Sequence, residues 1–235
     1  MRLFLSLFLL ALPAMVMSQN KIAGSADYLS AVKTELQKEW PKNRTINLVF
    51  HGHSVPAGFF KTPVVNTLAA YPYQILKELK AIYPFAVINI INTSIGGENS
   101  EGGNKRFKTE VLVHQPDILF IDYALNDRGI GLKKAKEAWS SMIKSALKKD
   151  IKIILLTPSP DQRVDILELN NVFEQHSEQI KRIAMEYEIG LIDSYSLFKK
   201  KVIQGESIAM YMSQVNHPNE LGHQLVTAEI LKYFH

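Results

Sequence analysis

The sequence predicts an α/β domain: one sheet of parallel strands with helices on both faces. Three observations lead there. Apolar runs of strand length alternate with stretches of helical periodicity, the order that joins parallel strands through crossover helices. The run Ile151–Leu156 is almost continuously apolar, as in strands covered on both faces. Prolines at 41, 84 and 116 separate the segments, so each element has a defined end. A length of 235 residues, with 46% hydrophobic and 21% charged, fits one globular domain.

Taken in order, Tyr28 to Trp40 reads as a helix, with Leu29, Val32, Leu36 and Trp40 on one stripe. Ile46–Phe50 is the first buried strand, and it stops at His51-Gly52-His53-Ser54. No helix is expected to start there until after Pro56, and Gly58 to Ala70 reads as a loop. Pro72–Tyr83 is helical, with Ile75, Leu76, Leu79 and Ile82 inward. A second strand covers Ala86–Ile91 and is followed by a polar loop, Asn92–Gly103, carrying four glycines. A helix over Phe107–Val113 leads to the third strand, Asp117–Tyr123. Leu132–Lys149 packs Ala135, Trp139, Ile143 and Leu147 inward, and Ile151–Leu156 is the fourth strand. The helix Asn170–Tyr187, a short fifth strand Gly190–Asp193, and helices Ser196–Ile203 and Glu220–Phe234 complete the chain. There is no repeat, low-complexity tract or linker.

Residues 1–18 are expected to lie outside this domain. Arg2, the apolar run Leu3–Met17 and Ser18 have the order of a secretory signal peptide, with Gln19 starting the mature chain. The run is short beside the about 20 apolar residues of a membrane span. No cysteine follows it, so no lipid anchor, disulfide or thiolate chemistry is expected. The predicted location is therefore periplasmic or secreted, without a stable membrane anchor. Net charge is +4, and the only tight basic clusters, Lys133-Lys134 and Lys199-Lys200-Lys201, read as solvated helix faces. That density excludes a nucleic-acid surface as the expected partner.

Parallel strands send their following loops to one edge, where open α/β sheets place their sites. That edge gathers Ser54, the glycine turn in Asn92–Ser100, and Ala124-Leu125-Asn126-Asp127, with Asn216-His217-Pro218-Asn219 before the last helix. A hydroxyl, an imidazole, glycine N–H groups and a carboxamide are the parts of an acyl-transfer site. His51 and His53 form an HxH pair that, with His217, could be read as metal ligands. No carboxylate cluster completes such a site, so no metal and no cofactor is expected. Asp127 is expected to anchor its loop, and His223 to be structural.

The four segments resemble the four blocks of the SGNH hydrolases, the GDSL esterase/lipase family. Gly52-His53-Ser54-Val55-Pro56-Ala57-Gly58 matches the first block, with His53 in place of the usual aspartate. Asn92–Ser100 matches the second, Ala124–Asp127 the third with alanine for glycine, and Gln214-Val215-Asn216-His217-Pro218-Asn219 the last. The resemblance implies a three-layer, flavodoxin-like α/β fold with a five-stranded parallel sheet between helices. It implies Ser54 as nucleophile and His217 as the acid and base. The oxyanion hole would be built from the Ser54 N–H, the Gly97 N–H and the Asn126 side chain. The expected substrate is a small-molecule or carbohydrate ester, with short acyl groups such as O-acetyl favoured. A non-catalytic carbohydrate-binding relative, and a lipase or thioesterase for longer acyl chains, are the alternatives.

One position breaks the pattern. Where the family places an aspartate three residues before the histidine, this chain has Gln214. Three arrangements stay open: a Ser–His dyad oriented by the Gln214 carbonyl or a backbone carbonyl, a carboxylate from elsewhere such as Asp161 or Glu220, or a site reduced to binding.

Overall fold

The computed structural model describes residues 21–235. The predicted export segment, 1–18, lies outside the described residues. No helix among those described is long and apolar enough to cross a membrane.

Five strands, β1 (Thr45–Gly52), β2 (Val87–Asn92), β3 (Ile118–Asp122), β4 (Lys152–Leu156) and β5 (Gly190–Ile192), form one sheet in the order β2-β1-β3-β4-β5. All four pairings are parallel. Strand residues alternate between faces, so each strand feeds two cores. Ile46, Leu48 and Phe50 of β1 enter one apolar cluster, shared with helices α1 (Ser30–Leu36), α3 (Tyr71–Ile82), α8 (Ser194–Ile203) and α9 (Glu220–Leu231). Val49 enters the other, with helices α4 (Ser100–Glu110), α6 (Gly131–Leu147) and α7 (Val172–Glu186). The chain leaves β1 toward β2 on one side and continues to β3 on the other. The crevice at the carboxyl ends of β1 and β3 is thus the switch point of a 2-1-3-4-5 sheet, where such folds bind ligands.

Several boundaries differ from the sequence reading. A one-turn helix, α2 (Ser54–Ala57), begins directly at Ser54. Pro56 is accommodated because its missing N–H falls in the first turn, where no intrahelical acceptor exists. Helix α4 starts at Ser100, seven residues before the predicted start, because Asn99 caps it by accepting the Gly102 N–H. Gly102 and Gly103 are therefore helical. Gly103 leaves space for the Tyr123 ring, since a Cβ there would lie 2.4 Å from Tyr123 Cζ. Helix α1 ends at Leu36, and Trp40 is exposed instead of closing the predicted stripe. The last block forms a small antiparallel hairpin of β6 (Met212–Gln214) and β7 (His217–Pro218).

Candidate active site

Ser54 is the first residue of α2, immediately beyond the end of β1. Gly52 allows the sharp exit, because a Cβ at that position would stand 2.4 Å from the Asp122 carbonyl oxygen of β3. His217, on β7, arrives from the far end of the sequence. Its Nε2 lies 2.9 Å from Ser54 Oγ. Both residues are almost fully buried. Burial holds the His217 pKa below its ordinary value, a hydrogen bond to a backbone carbonyl opposes that, and the neighbouring His53 adds to the lowering.

The other ring nitrogen settles part of the question raised by Gln214. Cross-strand pairing in the hairpin places Gln214 opposite His217. The Gln214 carbonyl oxygen is already used, accepting from the Thr62 N–H at 3.0 Å and the Thr62 hydroxyl at 3.3 Å. That turns the amide nitrogen, not the carbonyl, toward His217 Nδ1 at 2.6 Å. The Phe60 carbonyl oxygen stands 3.0 Å from the same nitrogen. One nitrogen cannot serve both neighbours. A proton on Nδ1 suits Phe60 and leaves Nε2 free to accept from Ser54. A bare Nδ1 suits Gln214 and puts the proton on Nε2. Neither Asp161 nor Glu220 is hydrogen-bonded or ion-paired to the His217 ring among the described residues. Burial works to raise Asp161, but hydrogen bonds from Arg163 and Arg128 outweigh it and bring it down to about 2.

The glycine turn after β2 brings Gly97 to the rim with φ +79°, and a Cβ there would meet nothing within 4 Å. The Gly97 N–H meets no acceptor among the described residues. Asn126, on the short helix α5 (Ala124–Asp127), donates one side-chain N–H to the Glu98 carbonyl at 2.9 Å. Its other N–H remains for a ligand. The neighbouring Asp127 accepts from the Ser100 N–H at 2.8 Å and from the Trp139 indole at 2.6 Å, tying α5 to the start of α4. Burial raises Asp127, and these bonds oppose it.

The turn is fixed from below by residues that sequence reasoning missed. Glu98 accepts from Arg106 Nε at 2.9 Å and from the Tyr123 hydroxyl at 2.7 Å. Burial would raise Glu98, but Arg106 and Tyr123 hold its carboxyl below the usual range. His51 belongs to this network. Its Nε2 lies 3.2 Å from the Gly103 carbonyl and its Nδ1 lies 2.9 Å from the Thr93 hydroxyl. His53 instead faces Ser54 and Asp122, so the HxH pair is divided between two environments. His223 is fully buried under the site, accepts the Tyr71 N–H at 3.2 Å and stacks on Phe60. Asp122 was the other omission. An acid closing the apolar run Ile118–Ile121 at the carboxyl edge is a signal that the sequence carried.

A profile described as the GDSL-like lipase/acylhydrolase family matches residues 50–225, from within β1 to the final helix. The chain belongs to that family. It is a carboxylic-ester hydrolase of the SGNH type. An acetylxylan esterase of Geobacillus stearothermophilus is 22% identical over 174 residues, covering 69% of this chain and 79% of the relative. An uncharacterized lipoprotein of Bacillus subtilis, YqeF, is 33% identical over 81 residues, 31% of this chain and 33% of that protein. Among solved structures, the acetylxylan esterase Axe2 of G. stearothermophilus superposes with a TM-score of 0.70 at 21% identity, covering 80% of this chain and 94% of that one. A two-domain esterase active on acetylated mannans gives 0.73 at 20% identity, covering 89% and 54%. The structural matches share the SGNH fold with its five-stranded parallel sheet.

Proposed function

We propose that this SGNH hydrolase is exported and removes short acyl groups, acetyl foremost, from carbohydrate through an acyl-serine intermediate on Ser54. The observation that carries the reading is the 2.9 Å approach of His217 Nε2 to Ser54 Oγ at the switch point of the sheet. In the productive tautomer, Nδ1–H donates to the Phe60 carbonyl and Nε2 accepts the Ser54 proton. Oγ attacks the ester carbonyl, and the developing oxyanion is received by the Ser54 and Gly97 N–H groups and the free N–H of Asn126. The imidazolium returns its proton to the leaving alcohol, and water then releases the acid by the reverse steps. The substrate class is supported by the printed activities of the similar proteins, on acetylxylan and acetylated mannans. The apolar run at the start of the sequence supports export.

Ser54→Ala is expected to abolish hydrolysis of p-nitrophenyl acetate and release of acetate from acetylated xylan, with an unchanged circular dichroism spectrum. Parent-like rates in the variant would end this reading. A series of nitrophenyl esters should peak at two to four carbons, and a rate climbing past about eight carbons would point to long-chain acyl substrates instead. One observation favours a binding-only protein: the Gln214 amide nitrogen beside Nδ1, which stabilises the tautomer unable to deprotonate Ser54. Covalent labelling of Ser54 by a fluorophosphonate separates the two, since only an activated serine reacts.

A further inference from the structure

We propose that Asp122 and His53 form a positioning pair for Ser54, and that they bring to the site the negative charge that position 214 lacks. The proposal rests on Ser54 being the nucleophile.

His53 is completely buried and caps α2, its Nδ1 accepting the Val55 N–H at 3.3 Å. An imidazole nitrogen that accepts carries no proton, so in the neutral ring the proton sits on Nε2. Nε2 lies 3.4 Å from Asp122 Oδ1. Neither of these two buried atoms makes a hydrogen bond among the described residues, and at 3.4 Å each is the polar group the other faces. Leaving a buried donor and a buried acceptor unmade is costly, so the two atoms have a drive to close the remaining few tenths of an ångström onto each other. The second Asp122 oxygen accepts from the Tyr71 hydroxyl at 3.1 Å. On its other side, His53 Nδ1 lies 3.4 Å from Ser54 Oγ. The nucleophilic oxygen therefore stands between two imidazoles, with a carboxylate behind one and only neutral groups behind the other.

The placement of the carboxylate matters. Asp122 closes β3, a strand buried along its whole length, in register with Gly52. Gln214 sits partly exposed on a short two-stranded hairpin. When His217 becomes an imidazolium, the Phe60 carbonyl and the Gln214 amide offer it no charge. A buried carboxylate does, and in a water-poor interior its influence reaches beyond direct contact. The His53 ring between Asp122 and Ser54 also limits where Oγ can stand, and such positioning is worth large factors in rate. His53 keeps its Nε2 proton throughout, so no proton is passed to Asp122.

Asp122→Asn is isosteric and can still accept from Tyr71. It is expected to lower kcat for p-nitrophenyl acetate about 10- to 100-fold while KM stays within about twofold. His53→Asn keeps an acceptor for the Val55 N–H but removes the ring. It is expected to show the same split. The decisive measurement is a double-mutant cycle with Gln214→Glu, which supplies a carboxylate on the opposite side of the site. In that background Asp122→Asn should cost less than about threefold, because the charge is no longer missing. Equal losses in both backgrounds would make the pair purely structural and overturn the proposal, as would a parent-like kcat or a loss confined to KM. If Asp122→Asn does not fold, as judged by thermal melting, His53→Asn with and without Gln214→Glu gives the same comparison. Activity that survives Ser54→Ala defeats the nucleophile assignment. Intact kcat in Asp122→Asn, in an enzyme silenced by Ser54→Ala, defeats the present inference alone.

Discussion

Gln214→Glu should make the enzyme faster, a direction uncommon for a single change beside a histidine proposed as the general base. Glutamate is isosteric with glutamine, so one oxygen can keep the Thr62 N–H and hydroxyl that the Gln214 carbonyl now accepts. The second oxygen then takes the place of the amide nitrogen, 2.6 Å from His217 Nδ1. A donor that opposes the productive tautomer becomes an acceptor that enforces it. It also places a negative charge beside the imidazolium. Two unit charges 4 Å apart interact by about 4 kcal/mol at an effective dielectric near 20. Desolvation of the new carboxylate and the half-exposed position offset a large part of that. The Phe60 carbonyl already orients Nδ1 in the parent, so the gain stays below the roughly 10⁴-fold that separates a triad from its amide variant. A rise in kcat of about 10- to 100-fold is expected, equal to about 1.4–2.8 kcal/mol at the transition state.

The pH profile carries a second reading of the same change. In the proposed mechanism His217 must be neutral to accept the Ser54 proton, so activity should appear as pH rises through its pKa. Burial holds that pKa below the ordinary value of about 6.5. The new carboxylate favours the charged ring and should move the acid limb of kcat/KM to higher pH. Steady-state hydrolysis of p-nitrophenyl acetate between pH 4.5 and 9 measures both quantities. An unchanged or lower kcat together with an unmoved acid limb would refute the account of Gln214.

Two further outcomes follow from the same contacts. Asn126→Ala should lower kcat about 100- to 1000-fold with a modest change in KM, as for the loss of one oxyanion donor, and a loss below about fivefold would remove Asn126 from that role. Acid should weaken the fold through its buried neutral histidines. Burial drops His51 and His176 to about 4, and burial with the neighbouring His217 drops His223 to about 3. Unfolded histidines bind protons below about pH 6.5 while these do not, so their stability is fully present above that pH and is lost as pH falls toward 4. For His223 the loss at pH 4.5 is about 3 kcal/mol, or roughly 5–10 °C in Tm. His223→Asn, which can still accept the Tyr71 N–H, should lose less Tm than the parent between pH 7.5 and 4.5, and equal losses would refute this source.

The parts of the site with a strong local signature were legible in the sequence, and the parts built from long-range pairing were not. The apolar runs marked all five strands, and alternation with helical stretches made them parallel. That alone brought Ser54, Gly97 and Asn126 to one rim. The start of α2 was hidden because Pro56 reads as a breaker, although the first turn of a helix tolerates it. The start of α4 was hidden because four glycines read as loop. Gly103 is instead a contact position for Tyr123, a demand set by packing between elements. Thr62 as the holder of Gln214 lies 152 residues away and depends on an exposed turn, so no spacing rule reaches it.

The consequence is that this site keeps its charge on the sheet and its orientation on the loops. Two of the groups around His217 Nδ1, the Phe60 carbonyl and the Thr62-held Gln214 amide, depend on the segment that leaves α2 and is exposed from Lys61 to Asn66. The segment is held to itself by the Phe60–Val64 and Asn66–Gly58 backbone bonds, and Phe59 from its base packs near the His217 ring and against Gly96. In a site with an aspartate three residues before the histidine, orientation and charge arrive together on one short hairpin. Here they are separable. A shift of the 59–65 segment alters the tautomer balance of His217 without touching Asp122, and a change at Asp122 alters the charge without touching the tautomer. Kinetic effects of substitutions in the two places should therefore fall into distinct classes. Loop variants change the fraction of competent enzyme at every pH, and charge variants change the rate of the competent fraction.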